Sequence, residues 1–244
     1  MLKTTIVLPT YNEIENLEDM VNALLSLNVV NLSILIVDDN SPDGTGRLAD
    51  KLVSTYNNVS VLHRHTKAGL GPAYLAGFTK ALEMGADYIV QMDTDFSHNP
   101  KYIPTMLKTI EKCDLVIGSR YIKGGGVDNR WSLYRKLLSW WANRIYTHFI
   151  LGFPVYDATA GYRLWKAETL RAINFDKIHS SGYVFQIEMA YTTYKNGLKI
   201  IEVPIYFPDR AKGKSKMKSR IVLEAAIKVW GIKFRSLFFG TVKM

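Results

Sequence analysis

Tyr88-Ile89-Val90-Gln91-Met92-Asp93-Thr94-Asp95 decides the reading of the fold, because an apolar run of strand length ends in two carboxylates one residue apart. Positions i and i+2 of a strand face the same way. Asp93 and Asp95 can therefore converge on one divalent cation and, through it, on a diphosphate. Asp-x-Asp by itself is common, and a solvated turn after a strand is the simpler account of the isolated pair. The surrounding pattern has to choose between the two.

Residues 5–8, 33–37, 59–62, 88–92 and 115–117 read as short buried strands, and the stretches between them have helical period. Leu17, Met20, Val21, Leu24 and Leu25 follow i, i+3, i+4, i+7, i+8, and Asn12 with Glu15 three residues on forms a candidate cap for that helix. Alternating β and α elements predict an α/β fold, a largely parallel sheet covered on both faces. In such sheets ligands bind outside the carboxyl ends of the strands. The polar clusters fall at those ends: Pro9-Thr10-Tyr11-Asn12-Glu13, Asp38-Asp39-Asn40-Ser41-Pro42-Asp43-Gly44, residues 93–97 and Gly118-Ser119-Arg120-Tyr121. One crevice thus receives carboxylates, an aromatic ring and an arginine.

No Gly-x-x-x-x-Gly-Lys-Ser/Thr loop is present and no Gly-x-Gly-x-x-Gly follows the first strand, which argues against P-loop and dinucleotide-binding folds. Gly69-Leu70-Gly71 precedes a helix containing Ala73, Ala76 and Gly77, and reads either as tight helix-to-sheet packing or as an anion cradle.

A length of 244 residues suits one α/β domain with appendages. Met1-Leu2-Lys3 runs directly into a strand-like segment and no stretch of 18 or more residues is both apolar and uncharged, so a cytoplasmic protein without a signal is expected. Cys113 is the only cysteine, which excludes an intrachain disulfide and a cysteine-based metal site. Lys and Arg number 31 against 22 Asp and Glu, and the net charge of +9 favours phosphates: nucleotides, nucleic acid or an anionic membrane face.

The second half is less regular. Gly124-Gly125-Gly126 is too short to separate folded units. Residues 131–151 are helix-like, with Trp140, Trp141, Tyr146 and Phe149 beside Arg130, Arg135, Lys136, Arg144 and His148. A final helix from about Ser219 sets Arg220, Glu224, Lys228 and Arg235 along one stripe, with Ile221, Leu223, Ile227, Trp230, Phe234 and Phe238 elsewhere. Basic amphipathic helices with aromatics lie in membrane interfaces, and packing of the apolar faces on the sheet is the competing reading.

The ordered set 9–13, Val37-Asp38-Asp39-Asn40-Ser41-Pro42-Asp43-Gly44-Thr45, Asp93-Thr94-Asp95 and 118–121 resembles family 2 glycosyltransferases of GT-A (Rossmann-like) fold. Within them it is similar to polyprenol-phosphate (dolichol-phosphate) mannose synthases, through Gly69-Leu70-Gly71, Tyr134-Arg135-Lys136, Gly182-Tyr183-Val184-Phe185-Gln186 and residues 209–216. The resemblance spans residues 4–218. It implies inverting transfer of mannose from GDP-mannose to polyprenyl or dolichyl phosphate. Pro9, Tyr11, Glu13, Val37 and Asp39 would hold the nucleoside, and Asp93 and Asp95 would bind Mg²⁺ or Mn²⁺ with the diphosphate. Arg210 and Lys216 match a basic loop that closes over the donor. Ser97 stands where some relatives carry a metal-binding Gln, leaving water to complete the shell.

By the same resemblance the acceptor phosphate is the nucleophile, oriented by Arg120, Arg135 and Ser139, with a guanidinium giving two parallel hydrogen bonds. Asp157, Thr159, Gly161 and Arg163 match a region lining the sugar or acceptor site, or form a loop with an internal ion pair. Of Gln186 and Glu188, one is expected in the active site, with Tyr183 and Phe185 in the core. The implied organisation is a catalytic domain over 1–218, including an interface helix at about 131–151, and a C-terminal amphipathic helix over 219–244 with no transmembrane span. Its place is peripheral, on the cytoplasmic face of a membrane, with membrane anchor subunits left open as partners and no nucleic acid.

Two rival readings stand beside this one. The first is a polyprenyl-phosphate glucosyltransferase, or another family 2 enzyme using a UDP-sugar. The second is a non-catalytic basic module binding membrane or nucleic acid, which leaves carboxylates at strand ends without purpose, since they repel a polyphosphate unless a metal intervenes.

Overall fold

The computed structural model describes residues 2–209 and 227–235. Strands β1 (Thr4–Thr10), β2 (Leu32–Asp38), β3 (Val59–His63) and β4 (Tyr88–Gln91) are mutually parallel, and helices α1 (Leu17–Leu25), α2 (Thr45–Thr55) and α3 (Leu70–Glu83) form the crossovers. α4 (Ile103–Ile110) leads into β5 (Leu115–Ser119). The short β6 (Gly126–Val127) precedes α5 (Leu133–Trp141), a π-helical turn over Ala142–Thr147 and α6 (His148–Leu151). β7 (Arg163–Lys166), α7 (Ala167–Arg171), α8 (Gly182–Lys195), β8 (Ile200–Pro204) and β9 (Tyr206–Phe207) follow, and residues 227–235 are helical.

The seven-stranded sheet runs β3-β2-β1-β4-β7-β5-β8, and a two-stranded ribbon pairs β6 with β9. β7 lies antiparallel between β4 and β5, with Arg163 opposite both Gln91 and Ile117. A strand that starts where its neighbours end brings the loop before it to their carboxyl edge. Residues 157–162 therefore join the crevice that the parallel strands already face.

Two apolar clusters cover the two faces of the sheet. One packs α1, α2 and α4, through Leu17, Met20, Leu24, Leu52, Met106 and Ile110, on Ile6, Leu8 and Ile34. The other packs α3 and α8 on Val7, Leu35 and Val37, and takes in Val229 and Ile232. Burying a side chain of this size contributes roughly 1.5–3 kcal/mol, so the final helix is held partly as core. The glycines of α3 settle the reading of that segment. A Cβ on Gly77 would lie 2.4 Å from Val7 Cγ1, and one on Gly71 3.2 Å from the Phe185 ring. Close packing explains both positions, and Gly69, at φ 96°, makes the turn into the helix.

Three expectations change. Asn12 does not cap α1: it sits in the left-handed region at φ 60° and its N–H donates to Ser41 Oγ, while α1 begins at Leu17. The turn after β1 takes that backbone conformation, whereas a side-chain N-cap typically sits in the β region next to the first helical residue. Tyr183, in the first turn of α8, is exposed rather than core, whereas Phe185 is fully buried and stacked on Tyr74. Arg235 does not lie on a free polar stripe, since it donates to Glu188 Oε1 at 2.7 Å. The expected helix over 219–244 is described only for 227–235.

Candidate active site

β4 stops at Gln91, so Asp93 and Asp95 stand in the turn beyond it rather than in the strand. Phe96, at φ 61°, reverses the chain there and lets the Ser97 hydroxyl and main-chain N–H both donate to Asp95 Oδ1, at 2.5 and 3.1 Å. Asp93 is fixed from two sides. The Tyr74 phenol, reaching from α3, donates to Oδ1 at 2.9 Å, and the Asp93 N–H donates to His98 Nδ1 at 2.8 Å. Burial, then the charges of Asp93 and Asp95, push the Tyr74 phenol well above its ordinary value, so it remains a donor. Burial holds the His98 imidazole below its ordinary value against the opposing pull of the same carboxylates.

Among the described residues no group of three His, Cys, Asp or Glu side chains forms a metal cluster. The donor set is two carboxylates, with Asp93 about one-third exposed and Asp95 nearly covered. That set fits a hard cation such as Mg²⁺ or Mn²⁺, which takes its remaining oxygens from a diphosphate and water. Ser97 tightens Asp95 and adds no charge of its own.

The candidate nucleoside residues line the ends of β1 and β2. Lys67 Nζ lies 3.5 Å from the centre of the Tyr11 ring. Asp39 is ion-paired with Arg64, and the Pro9 carbonyl accepts from Thr94 Oγ1 at 3.2 Å, tying β1 to the metal turn. The Glu13 carboxylate accepts from Asn16 Nδ2 at 2.8 Å. The Val37 side chain is fully buried against α3. A polar cavity of about 280 Å³ beside them is lined by Asp38, Asn40, Arg47, Asp50 and His63. Arg210 and Lys216 lie outside the described residues.

Arg120 stands at the end of β5 with its side chain 9% exposed. Its Nε and Nη2 donate to the two oxygens of Asp157 at 2.8 and 2.6 Å, and Nη2 also donates to Thr159 Oγ1 at 2.9 Å. The expected two-bond grip on a phosphate is therefore engaged by Asp157, because a buried guanidinium needs a counter-charge. Among the described residues no hydrogen bond engages Nη1. Burial alone would lower the Arg120 pKa, and the charge and hydrogen bonds of Asp157 raise it further than burial lowers it. Asp157 is fully buried and its N–H, with that of Tyr156, donates to Glu202 at 2.9 Å.

Ser139 and Arg135 reach the same place from α5. The Tyr121 hydroxyl donates to Ser139 Oγ at 2.6 Å. Arg135 sits over Trp131, its Cζ 3.6 Å from the ring centre, with Nη1 3.7 Å from Asp209 Oδ1. It is not a solvated surface charge. Asn143, in the π-turn, donates to the Ser139 carbonyl and accepts the Thr159 N–H, so one buried amide joins α5 to the 157–161 loop. Arg163 is fully buried, holds the Ala158 and Ala160 carbonyls at 2.9 Å, and is pushed down to about 9 by burial. The internal ion pair of this loop thus joins Asp157 to Arg120, with Arg163 bonded to main chain.

Of the α8 pair, Gln186 is buried and accepts from Gln91 Nε2 at 2.7 Å, with its own Nε2 near Gly161. Glu188 turns to the Ser180 N–H and Arg235. Sequence reasoning missed Tyr74, Asn143 and Glu202, whose roles arise only from tertiary approach. His98 had a signal, three residues after Asp95 in a polar turn.

Residues 5–173 match Glycosyl transferase family 2. The chain is 47% identical over 236 residues to the undecaprenyl-phosphate mannosyltransferase of Micrococcus luteus, covering 96% of each. It is 45% identical to the polyprenol monophosphomannose synthase of Mycolicibacterium smegmatis, covering 96% of this chain and 88% of that one. Its fold is similar to glucosyl-3-phosphoglycerate synthase from Mycobacterium tuberculosis in complex with Mn²⁺, uridine-diphosphate-glucose and phosphoglyceric acid. That structure gives a TM-score of 0.65 at 18% identity, over 94% of this chain and 80% of the other. The chain belongs to glycosyl transferase family 2, and within it to the polyprenyl-phosphate mannose synthases.

Proposed function

We propose that the protein transfers mannose from GDP-mannose to a polyprenyl phosphate, with inversion at the anomeric carbon, on a membrane surface. The observation that carries this reading is the meeting of two unlike sets of groups at one sheet edge. Asp93 and Asp95 close the β4 side, and Arg120, Tyr121, Ser139 and Arg135 close the β5 side. The first set suits a cation that neutralises charge on a leaving diphosphate. The second suits an anionic nucleophile.

On this reading the acceptor phosphate is held by Arg120 Nη1, the Arg135 guanidinium and the Ser139 hydroxyl. One of its oxygens forms the new bond to the sugar's anomeric carbon as the bond to GDP breaks. A phosphate needs no protein base, and the tightly paired Asp157 offers none. A divalent ion at Asp93 and Asp95, when bound, supplies the positive charge that receives GDP. Tyr74 and Ser97 hold those carboxylates in place, and Pro9, Tyr11, Glu13 and Asp39 hold the nucleoside. The division into a catalytic domain at 1–218 and an amphipathic helix at 219–244 belongs to the same proposal.

No described helix is long and apolar enough to cross a membrane. Support for surface attachment is the outer face of α5 and its continuation, where Leu133, Tyr134, Leu137, Trp141, Ile145 and Phe149 are exposed. Trp230 and Phe234 add a second exposed aromatic pair, stacked 5.9 Å apart. Basic helices of this kind lie at headgroup level and gain roughly 1 kcal/mol per cation near acidic lipid. A donor panel tests the chemistry. With polyprenyl phosphate and Mg²⁺ or Mn²⁺, GDP-mannose is expected to yield the mannosyl lipid, and GDP-glucose and UDP-glucose little or none. Preference for a UDP-sugar would replace the reading with the glucosyltransferase one.

A further inference from the structure

Behind the metal turn, a chain of hydrogen bonds has a fixed direction. Trp165 Nε1 can only donate, and it donates to Gln91 Oε1 at 3.1 Å. Gln91 must then present Nε2 to Gln186, whose Oε1 accepts it at 2.7 Å. The Gln186 amide, 2% exposed on α8, is thereby oriented with Nε2 at the far end of the chain. His98 is oriented in the same manner. Its Nδ1 lone pair is taken by the Asp93 N–H, so the ring proton sits on Nε2.

These two free ends converge on Gly161. A Cβ on that glycine would lie 3.5 Å from Gln186 Nε2, 3.8 Å from His98 Nε2 and 3.3 Å from His98 Cε1. Neither N–H has a protein acceptor among the described residues. Gly161 is itself partly exposed and carries no side chain to cover the two nitrogens. Neither nitrogen is among the fully covered side-chain atoms that lack a partner, so both N–H groups keep some access from outside the core.

We propose that this nook reads one hydroxyl of the sugar on the donor, with Gln186 and His98 donating to it and Gly161 leaving room for it. The proposal rests on the sugar-nucleotide reading above and deepens it by assigning a specificity residue. A hydroxyl fits better than a phosphate oxygen. Both donors are uncharged and stand beside carboxylates that repel an anion, whereas a hydroxyl can accept two N–H bonds and donate its own hydrogen onward.

The test is a cycle between Gln186→Leu and a series of monodeoxy GDP-mannoses, reading kcat/KM, with GDP affinity and thermal melting measured alongside. Gln186→Leu is expected to lose roughly 10- to 100-fold on GDP-mannose while GDP affinity holds within about two-fold. One deoxy donor, the one lacking the hydroxyl that is read, should be turned over equally by variant and wild type. Equal loss on every donor would overturn the proposal and make Gln186 a packing residue. If Gln186→Leu does not fold, Gly161→Ala reads the same nook. It is expected to weaken GDP-mannose binding and spare GDP, and equal effects on both overturn the proposal. Wild-type inactivity on GDP-mannose would instead overturn the functional reading, so the two failures are distinguishable.

Discussion

The two sides of the crevice solve opposite electrostatic problems. On the β4 side, the Tyr74 phenol donates to Asp93, and the Ser97 hydroxyl and main-chain N–H donate to Asp95. Neutral donors of this kind orient a carboxylate without cancelling its charge. On the β5 side, Arg120 is locked to a buried carboxylate, and its partner Asp157 is pinned in turn by the main chain and Glu202. Here the charge is largely answered within the protein. The difference teaches that the metal turn is positioned by neutral hydrogen-bond donors, whereas the β5 side is organised around a buried ion pair.

That contrast can be broken at several points. Asp95→Asn removes a charged ligand at constant size, so transfer should fall about a thousand-fold or more with the melting temperature little changed. Wild-type turnover with saturating Mg²⁺ and Mn²⁺ would remove the metal assignment. Asp157→Asn should do the reverse and act mainly on stability. Leaving Arg120 buried without its counter-charge is expected to cost about 3–5 kcal/mol, read as a drop of roughly 10 °C in melting temperature. An unchanged melt would mean that solvent reaches the pair.

The two arginines sharpen the comparison further. Lys in place of either keeps the charge and loses the planar fork. Arg120→Lys should lower both transfer and stability, because the fork holds Asp157. Arg135→Lys should lower transfer alone, with GDP affinity within a few-fold in both. Collapse of GDP binding would put these residues on the wrong substrate. The smallest effect concerns attachment. Trp230→Ala with Phe234→Ala should weaken co-sedimentation with anionic vesicles by a few-fold, since Val229 and Ile232 remain in the core and the α5 face remains exposed. No change would assign anchoring to α5 alone.

The legibility of the sequence follows the same division. Residues 5–8, 33–37 and 88–92 are apolar runs between helical periods, so the parallel half and its carboxyl edge could be read from local pattern. β7 could not. It is four residues long and opens with Arg163, a charge buried only because the 157–161 loop offers two carbonyls. The turn placing Asp93 and Asp95 depends on Phe96 in a left-handed conformation, which no pattern of residue types announces. Likewise Arg120 reads as an exposed phosphate ligand until Asp157, 37 residues on, is seen against it.

The central claim is a direct attack by the acceptor phosphate between these two sides, with no covalent intermediate on the protein. The anomeric configuration of the product tests it most directly. Purified enzyme, GDP-mannose in its α form, polyprenyl phosphate and Mg²⁺ should give a β-linked mannosyl phosphate by NMR, the outcome of one inversion. An α-linked product would contradict the account, because net retention requires a second displacement at a nucleophile on the protein that the crevice has not been assigned.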